Sequence, residues 1–422
     1  MIIDNSIAVA IPDILLPKEG TDLKKWAVIA CDQYTSEPDY WNKIESEVGD
    51  APSTLRIVLP EVYLPREDED GIRRRLENIA SSIDSYMNSG VWQSPKEGFI
   101  VLDRSTSLHP SRKGLMLAVD LEQYSYEPGN KEKIRATEGT VLDRIPPRVR
   151  IRANAKVEVP HIMLLIDDPE DSVIGMAWDE MTASGAKPCY DTDLMGGSGS
   201  VKGYFIPSSS EVCSKVTSAL SKLLARSIDG MLFAVGDGNH SLASAKAHWD
   251  NIKKGLSDED KKTHPARYAL AEVVNIHDRG LDFEPIHRVV FGVTPEEFIE
   301  GAKAYFKDNG ITVSSSPAEG QTFKVTGDID DTYITLAKPP HSLAVGSVQG
   351  FIDKMGYDVD YIHGEDSVRK LAEGSNTGIL LPDVSKDSFF ATISAEGVFP
   401  RKTFSMGEAF EKRFYFEAKR ID

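Results

Sequence analysis

The segment Phe233-Ala-Val-Gly-Asp-Gly-Asn-His-Ser241 brings a carboxylate (Asp237), an amide (Asn239), an imidazole (His240) and a hydroxyl (Ser241) together directly after an apolar run. The run breaks at Gly236 into a polar turn, and helical spacing restarts at Leu242, so these groups stand at a strand-to-helix junction. Gly236 and Gly238 let the backbone turn sharply and approach a ligand closely, while the unpaired N–H groups of the next helix point back at the turn. Such a helix start favours anions, phosphate above all. The competing structural reading has Asn239 or Ser241 capping the helix, His240 at the surface and the glycines serving only the turn.

Three other clusters carry chemistry. Asp32, Gln33 and Glu37 follow the apolar stretch Trp26-Ala-Val-Ile-Ala-Cys31, which reads as a buried strand. A carboxylate in that loop suits a general base or a ligand for a divalent metal. Arg135 and Glu138, with Arg144, Arg148, Arg150 and Arg152, supply the charge that a phosphate or carboxylate site needs, or else form ion pairs with neighbouring acids. His287 and Arg288 in Pro285-Ile-His-Arg288, and Arg401 and Lys402 in Pro400-Arg-Lys-Thr403, offer further contacts to phosphate oxygens; a histidine in a strand can equally be structural. The chain contains no Walker loop, no G-x-G-x-x-G after a strand, no H-E-x-x-H and no G-x-S-x-G elbow.

A net charge of −18 repels polyanions, so neither nucleic acid nor an anionic membrane is an expected partner. Arg73, Arg74 and Arg75 follow Glu67-Asp-Glu-Asp70 and read as a solvated helix face. Cys31, Cys189 and Cys213 form no C-x-x-C pair and are odd in number, which fits a reduced, cytoplasmic protein. No stretch reads as a signal sequence or a membrane span.

The elements around these residues mix short strands with amphipathic helices, which predicts an α+β (mixed α/β) fold. Strands are expected near 98–103, 114–120, 161–167 and 233–236, and helices near 72–87, 211–228 and 242–252. The segments 268–276 and 283–291 read as an antiparallel pair about Asp278-Arg-Gly280. Prolines make 144–148 a fixed loop, 196–203 is a glycine-rich turn or lid, and Thr294-Pro-Glu-Glu297 starts a helix. The expected organisation is an N-terminal α/β lobe over 1–95, a central body over 96–293 holding the Gly-Asp-Gly-Asn-His turn, and a C-terminal α/β region over 294–422, unless all three form one unit.

Taken in order, Trp26-Ala-Val-Ile-Ala-Cys-Asp-Gln-Tyr-Thr-Ser36, Arg135-Ala-Thr-Glu138, Pro160-His-Ile162, Gly236-Asp-Gly-Asn-His-Ser241, Pro285-Ile-His-Arg288 and Pro400-Arg-Lys-Thr403 resemble the family known as domain of unknown function 1015. The central turn is also similar to the D-G-x-H-R segment of the ParB and sulfiredoxin-like superfamily, which includes kinases of free serine. Asp237, Gly238 and His240 match, but Ser241 stands in place of the arginine. That resemblance implies a strand-turn-helix phosphate site and ATP or ADP with Mg²⁺ as cofactor. The expected activity is phosphotransfer to or from a small hydroxylated or phosphorylated metabolite such as serine. In that reading Asp32, Glu37, Asp237 and His240 are catalytic, and Asp32 and Asp237 hold Mg²⁺. Gln33, Arg135, Glu138, Gly236, Gly238, Asn239, Ser241, His287, Arg288, Arg401 and Lys402 bind phosphate or substrate. The alternatives are a non-catalytic nucleotide or phosphometabolite sensor and a metabolite phosphatase.

Overall fold

Runs of apolar residues too continuous for a half-solvated strand, such as Ile-Met-Leu-Leu-Ile at 162–166, call for a sheet covered on both faces. The computed structural model describes every residue except Pro128, Val141, Asp143 and Arg144, so Arg144 of the basic run lies outside the described residues. Two units are present, Met1–Leu281 with Glu408–Asp422, and Asp282–Gly407.

The elements of the first unit that position its polar groups are α1 (Pro38–Val48), β1 (Lys96–Ser105), β2 (Arg112–Asp120), β3 (Ile134–Arg135), α2 (Ile145–Ala153), β4 (Ile162–Ile166), β5 (Ser200–Pro207), β6 (Phe233–Asp237), α3 (Asn239–Ile252) and β7 (Tyr268–Asn275). The strands run in the order β3-β6-β4-β7-β2-β1-β5 within one larger sheet. Pairing is parallel for β3 with β6 and for β4 with β7, and antiparallel elsewhere along this order, which makes the fold mixed α/β. Every residue of β4 and β7 is buried, as their composition requires.

Three expectations need correction. The segments 268–276 and 283–291 are strands but not a pair, because β7 is already bonded to β4 on one side and β2 on the other. Residues 145–148 open a helix rather than a loop; Pro146 and Pro147 fall in its first turn, where missing N–H groups cost nothing. Residues 26–31 form no strand: Trp26 ends the short helix Leu23–Trp26, and the segment after it makes one bridge, Ile29 to Phe414.

That bridge belongs to a longer contact with the C-terminal segment. The Ala30 N–H donates to the Arg413 carbonyl at 2.8 Å, and the Tyr415 N–H donates to the Val28 carbonyl at 3.0 Å. The indole of fully buried Trp26 donates to the Phe416 carbonyl at 3.0 Å. Arg413, 7% exposed, donates to the Pro160 carbonyl at 3.1 Å, to Glu417 at 2.5 Å and to Glu272. Tyr190 donates to the other oxygen of Glu417 at 2.5 Å. Arg104 and Arg112 border the same charged core and donate to the Phe410 and Glu411 carbonyls.

In the second unit, β8 (Phe283–Val290), α4 (Pro295–Asp308), β9 (Gln321–Gly327), β10 (Ile329–Ala337), α5 (Ala344–Met355), β11 (Val359–His363), α6 (Glu365–Leu371) and β12 (Thr377–Leu380) form an antiparallel sheet with helices. Its strand order is β10-β9-β12-β8-β11, with Thr312–Ser314 beyond β10. Thr294 caps α4 in a full capping box with Glu297, and Pro295 opens the helix, as the sequence predicts. One sheet face packs Val325, Ile334 and Ile379 against Phe298, Phe306 and Phe351 of the helices.

All five tryptophans, Trp26, Trp41, Trp92, Trp178 and Trp249, lie in the first unit, so their fluorescence reports its unfolding alone. Arg413→Met strands Glu272 and Glu417 in the core, and urea denaturation followed by tryptophan fluorescence is expected to show a loss of about 3–5 kcal/mol. A loss under about 1 kcal/mol, the size of an exposed ion pair, contradicts this account.

Candidate active site

The junction after β6 is built by a bulge at Gly236 and a left-handed Gly238, a conformation glycine adopts without strain. Pairing of β6 with β4 slips out of register between Val235 and Asp237, leaving Gly236 as the bulged residue. Gly238 follows in the left-handed region (φ +79°), and a Cβ there would stand 3.1 Å from Ile162 Cα and 3.2 Å from the His161 carbonyl. The turn therefore lies directly on the backbone of 161–162. Helix α3 starts at Asn239, three residues earlier than its apolar spacing indicates, and Gly238 occupies its N-cap with no side-chain cap.

Asn239 does not cap. It is buried, its Oδ1 accepting from Thr137 N and its Nδ2 donating to Thr137 Oγ1, both at 3.3 Å. Thr137 Oγ1 in turn donates to the Val235 carbonyl at 2.6 Å, so the Arg-Ala-Thr-Glu segment clasps the turn from behind. His240 and Ser241 are half-buried in the first turn of α3, and Asp237 accepts the Gly238 N–H at 2.8 Å.

Against this turn the fold sets a charged cluster. His161 Nε2 lies 3.3 Å from Asp32 Oδ2, and Gln33 Nε2 donates to Asp32 Oδ1 at 2.9 Å. His161 Nδ1 lies 2.6 Å from Tyr415 Oη, which also accepts the Cys31 N–H at 2.9 Å. Lys412 Nζ is 3.1 Å from Asp237 Oδ2, and its charge also acts on Asp32. Asp32 and Asp237, remote in sequence, therefore share the field of one lysine.

Burial by itself would raise the Asp32 carboxyl, but His161, Gln33 and Lys412 outweigh it and hold the group well below its usual 3.8. Burial by itself would lower His161; Tyr415 and Asp32 outweigh it and hold the imidazole well above its usual 6.5. The pair is a carboxylate and an imidazolium at neutral pH. In that state both ring nitrogens donate, Nε2–H to Asp32 and Nδ1–H to Tyr415. The His161 contribution to stability is complete below pH 6.5 and is lost as pH rises through its raised value, whereas that of Asp32 is present above 3.8 and lost as pH falls through its lowered value.

Glu37 is exposed at the head of α1, beyond Tyr34, which adopts a left-handed backbone (φ +54°) and stacks on Tyr40 at 3.9 Å. Arg135 is buried and turned away from the Asp237 end of β6, donating to the Asp229 carbonyl at 2.7 Å and the Glu132 carbonyl at 3.1 Å. Glu138 is half-buried beside Thr137. The basic run forms ion pairs, Arg148 with Glu61 and Arg152 with Glu158 at 2.5 Å, while α2, which carries it, packs on α3; Arg150 is exposed. In the second unit, His287 Nδ1 accepts the Leu381 N–H at 3.1 Å. Fully buried Arg288 donates to the Lys402 and Arg401 carbonyls at 2.8 and 3.2 Å and so fixes the 400–403 turn. Lys402 itself is left-handed (φ +56°).

Sequence reasoning assigned no role to His161, Lys412 or Tyr415. Pro160-His-Ile162 stood among the family segments, a signal that could have found His161. Lys412 and Tyr415 sit in Glu-Lys-Arg-Phe-Tyr-Phe-Glu417, three polar residues followed by three aromatics, a local pattern that marks no site.

Asp32→Asn is expected to bring the His161 titration, followed by NMR of its ring proton, down toward 6.5; an unchanged titration shows that Asp32 is not its partner. Gly238→Ala is expected to cost about 1–3 kcal/mol in urea denaturation, from the left-handed backbone and the approach to Ile162.

No curated protein matches the chain. Among solved structures, a C-terminally truncated SbnI from Staphylococcus aureus is 13% identical, with 69% of this chain and 82% of that one covered and a TM-score of 0.37. A free serine kinase in complex with AMP is 12% identical over 72% of this chain and 92% of that one, with a TM-score of 0.37. A conserved hypothetical protein from Pyrococcus furiosus is 12% identical over 71% and 93%, with a TM-score of 0.34. The family model described as protein of unknown function (DUF1015) matches residues 15–355, most of the chain, and the chain belongs to that family.

Proposed function

We propose that the first unit is a phosphotransfer site for a small hydroxylated or phosphorylated metabolite, serine being the one implied by the resemblance of the Asp237-Gly-Asn-His240 turn to free serine kinases. The observation that carries this reading is the convergence of Asp32, His161, Asp237 and Lys412 at the uncapped start of α3. Phosphoryl transfer asks a protein for an anion cradle, positive charge and an oriented hydroxyl. The α3 N–H groups and His240 form the cradle, and Lys412 supplies the charge.

Asp32 is too firmly ionised to be a strong base, but a loose transition state releases the hydroxyl proton late, so orientation matters more than basicity. Asp32 aligns the hydroxyl and accepts its proton as the oxygen bonds to the γ-phosphorus and the bond to ADP breaks. His161 holds Asp32 in that position, with Tyr415 holding His161. Two carboxylates in one lysine's field fit Mg²⁺, which takes one or two from a protein and fills its shell with water and phosphate oxygen. Asp32 and Asp237 would hold it, and it would supply charge neutralisation on the phosphates. Arg135 acts as a support in this reading, through the Asp229 and Glu132 carbonyls it binds.

Isothermal titration with Mg·ATP, ADP and phosphoserine, followed by a turnover assay on serine, tests the proposal. Lys412→Met is expected to weaken nucleotide binding by about ten- to a hundredfold, the loss of one charged hydrogen bond. Asp32→Asn is expected to keep that binding and lose turnover. No heat from any ligand at millimolar concentration overturns the reading; binding without turnover leaves a sensor, and a trapped phosphoenzyme a phosphatase.

A further inference from the structure

A second set of polar groups stands on the sheet of the second unit, on the face opposite its main core. Cross-strand pairs share a face, so Tyr333 opposite Lys324, and Lys324 opposite Leu380, form one row. His287 continues it, one step along from the Arg288 to Ile379 pair. Helix α6 covers part of this face, with Val368 packed on Val289 and Leu380. Beyond the end of α6 the row stays open and floors a cavity of about 360 Å³. Gly364 and Glu365 form one wall, and Pro382 and Asp383 another. That volume is within the range of small-molecule sites, roughly 300–1,000 Å³.

Two donors in the cavity lack an acceptor among the described residues. His287 is 7% exposed, and because its Nδ1 accepts the Leu381 N–H, its ring proton sits on Nε2. Burial lowers its basicity, so it offers a hydrogen bond without a charge at neutral pH. Lys324 makes no ion pair among the described residues; its ammonium lies 6.0 Å from the centre of the Tyr333 ring. The acids are committed or peripheral: Glu365 accepts from Arg369 at 3.0 Å, Glu284 pairs with His363, and Asp383 is exposed at the rim.

We propose that this cavity binds a small monocarboxylate with an apolar body, its carboxylate held by Lys324 and the His287 Nε2–H and its body laid on Leu380, Leu381 and the Tyr333 ring. Arg369 offsets Glu365 and Asp383 lies exposed at the rim, so Lys324 is available to a single anionic charge, while the remaining carboxylates repel a phosphate dianion more strongly than a monoanion. The inference does not rest on the phosphotransfer reading, since every lining residue belongs to the second unit.

The test is titration of the full chain with straight-chain carboxylates from acetate to octanoate and with phenylpropionate, against phenylpropanol and inorganic phosphate. Saturable binding of the longer or aromatic acids is expected, weaker by about tenfold or more for the alcohol and for Lys324→Met, which each remove one charged contact. Asp32→Asn is expected to leave this binding unchanged, which separates it from the first unit's site. The proposal is overturned if no carboxylate saturates, if Lys324→Met binds as wild type does, or if phosphate competes at equal concentration. Lys324 is only half-buried, and a thermal melt matching wild type confirms that the variant folds.

Discussion

The first unit depends on keeping one buried guanidinium neutralised. Arg413 sits among groups that water cannot reach, and Glu272, Glu417 and the Pro160 carbonyl take its hydrogens. Burial works against its charge, but the two carboxylates outweigh burial and hold the proton more firmly than usual. A charge in that position is costly unless every partner is present, so the C-terminal segment can thread the unit in only one register. Its two backbone ties land near the candidate site, since Pro160 precedes His161 and the Arg413 carbonyl anchors Ala30 ahead of Asp32, and Lys412 is its chain neighbour.

From that register the electrostatics follow. An aspartate and a histidine brought together in a partly buried place settle as an ion pair, and Tyr415 on the far ring nitrogen fixes which way the imidazole faces. Lys412 reaches Asp237 from the same segment, so the turn after β6 meets the loop after Cys31 through a residue from neither. Gly238 matters because its backbone is left-handed and a Cβ there would crowd the 161–162 backbone, 3.1 Å from Ile162 Cα. Stability and the candidate site draw on the same contacts here, as is common where a site is assembled from distant segments.

The arginines that charge alone would assign to phosphate are engaged in construction. Arg135 secures the entry to β6, Arg288 the 400–403 turn, and Arg148 and Arg152 the flank of α2. An acidic protein uses its guanidinium groups where several carbonyls must be satisfied at once, since each offers five donors in a rigid fork. Lys412, by contrast, stands at the start of α3, paired with Asp237.

Local patterning was enough to read the mixed α/β character, strands near 161–167 and 233–236, helices near 72–87 and 211–228, a helix start at Thr294, and the strand-turn-helix with Asp237 at its tip. Those features follow from side-chain periodicity and from where glycine and proline allow or forbid helix, which neighbours along the chain settle among themselves. What escaped the sequence was long-range: the pairing of β7, the replacement of a strand at 26–31 by a bridge to Phe414, and the identity of His161, Lys412 and Tyr415 as companions of Asp32. Hydrogen bonds and ion pairs between distant segments leave no period in the chain, because their geometry exists only once the C-terminal residues have closed on the sheet.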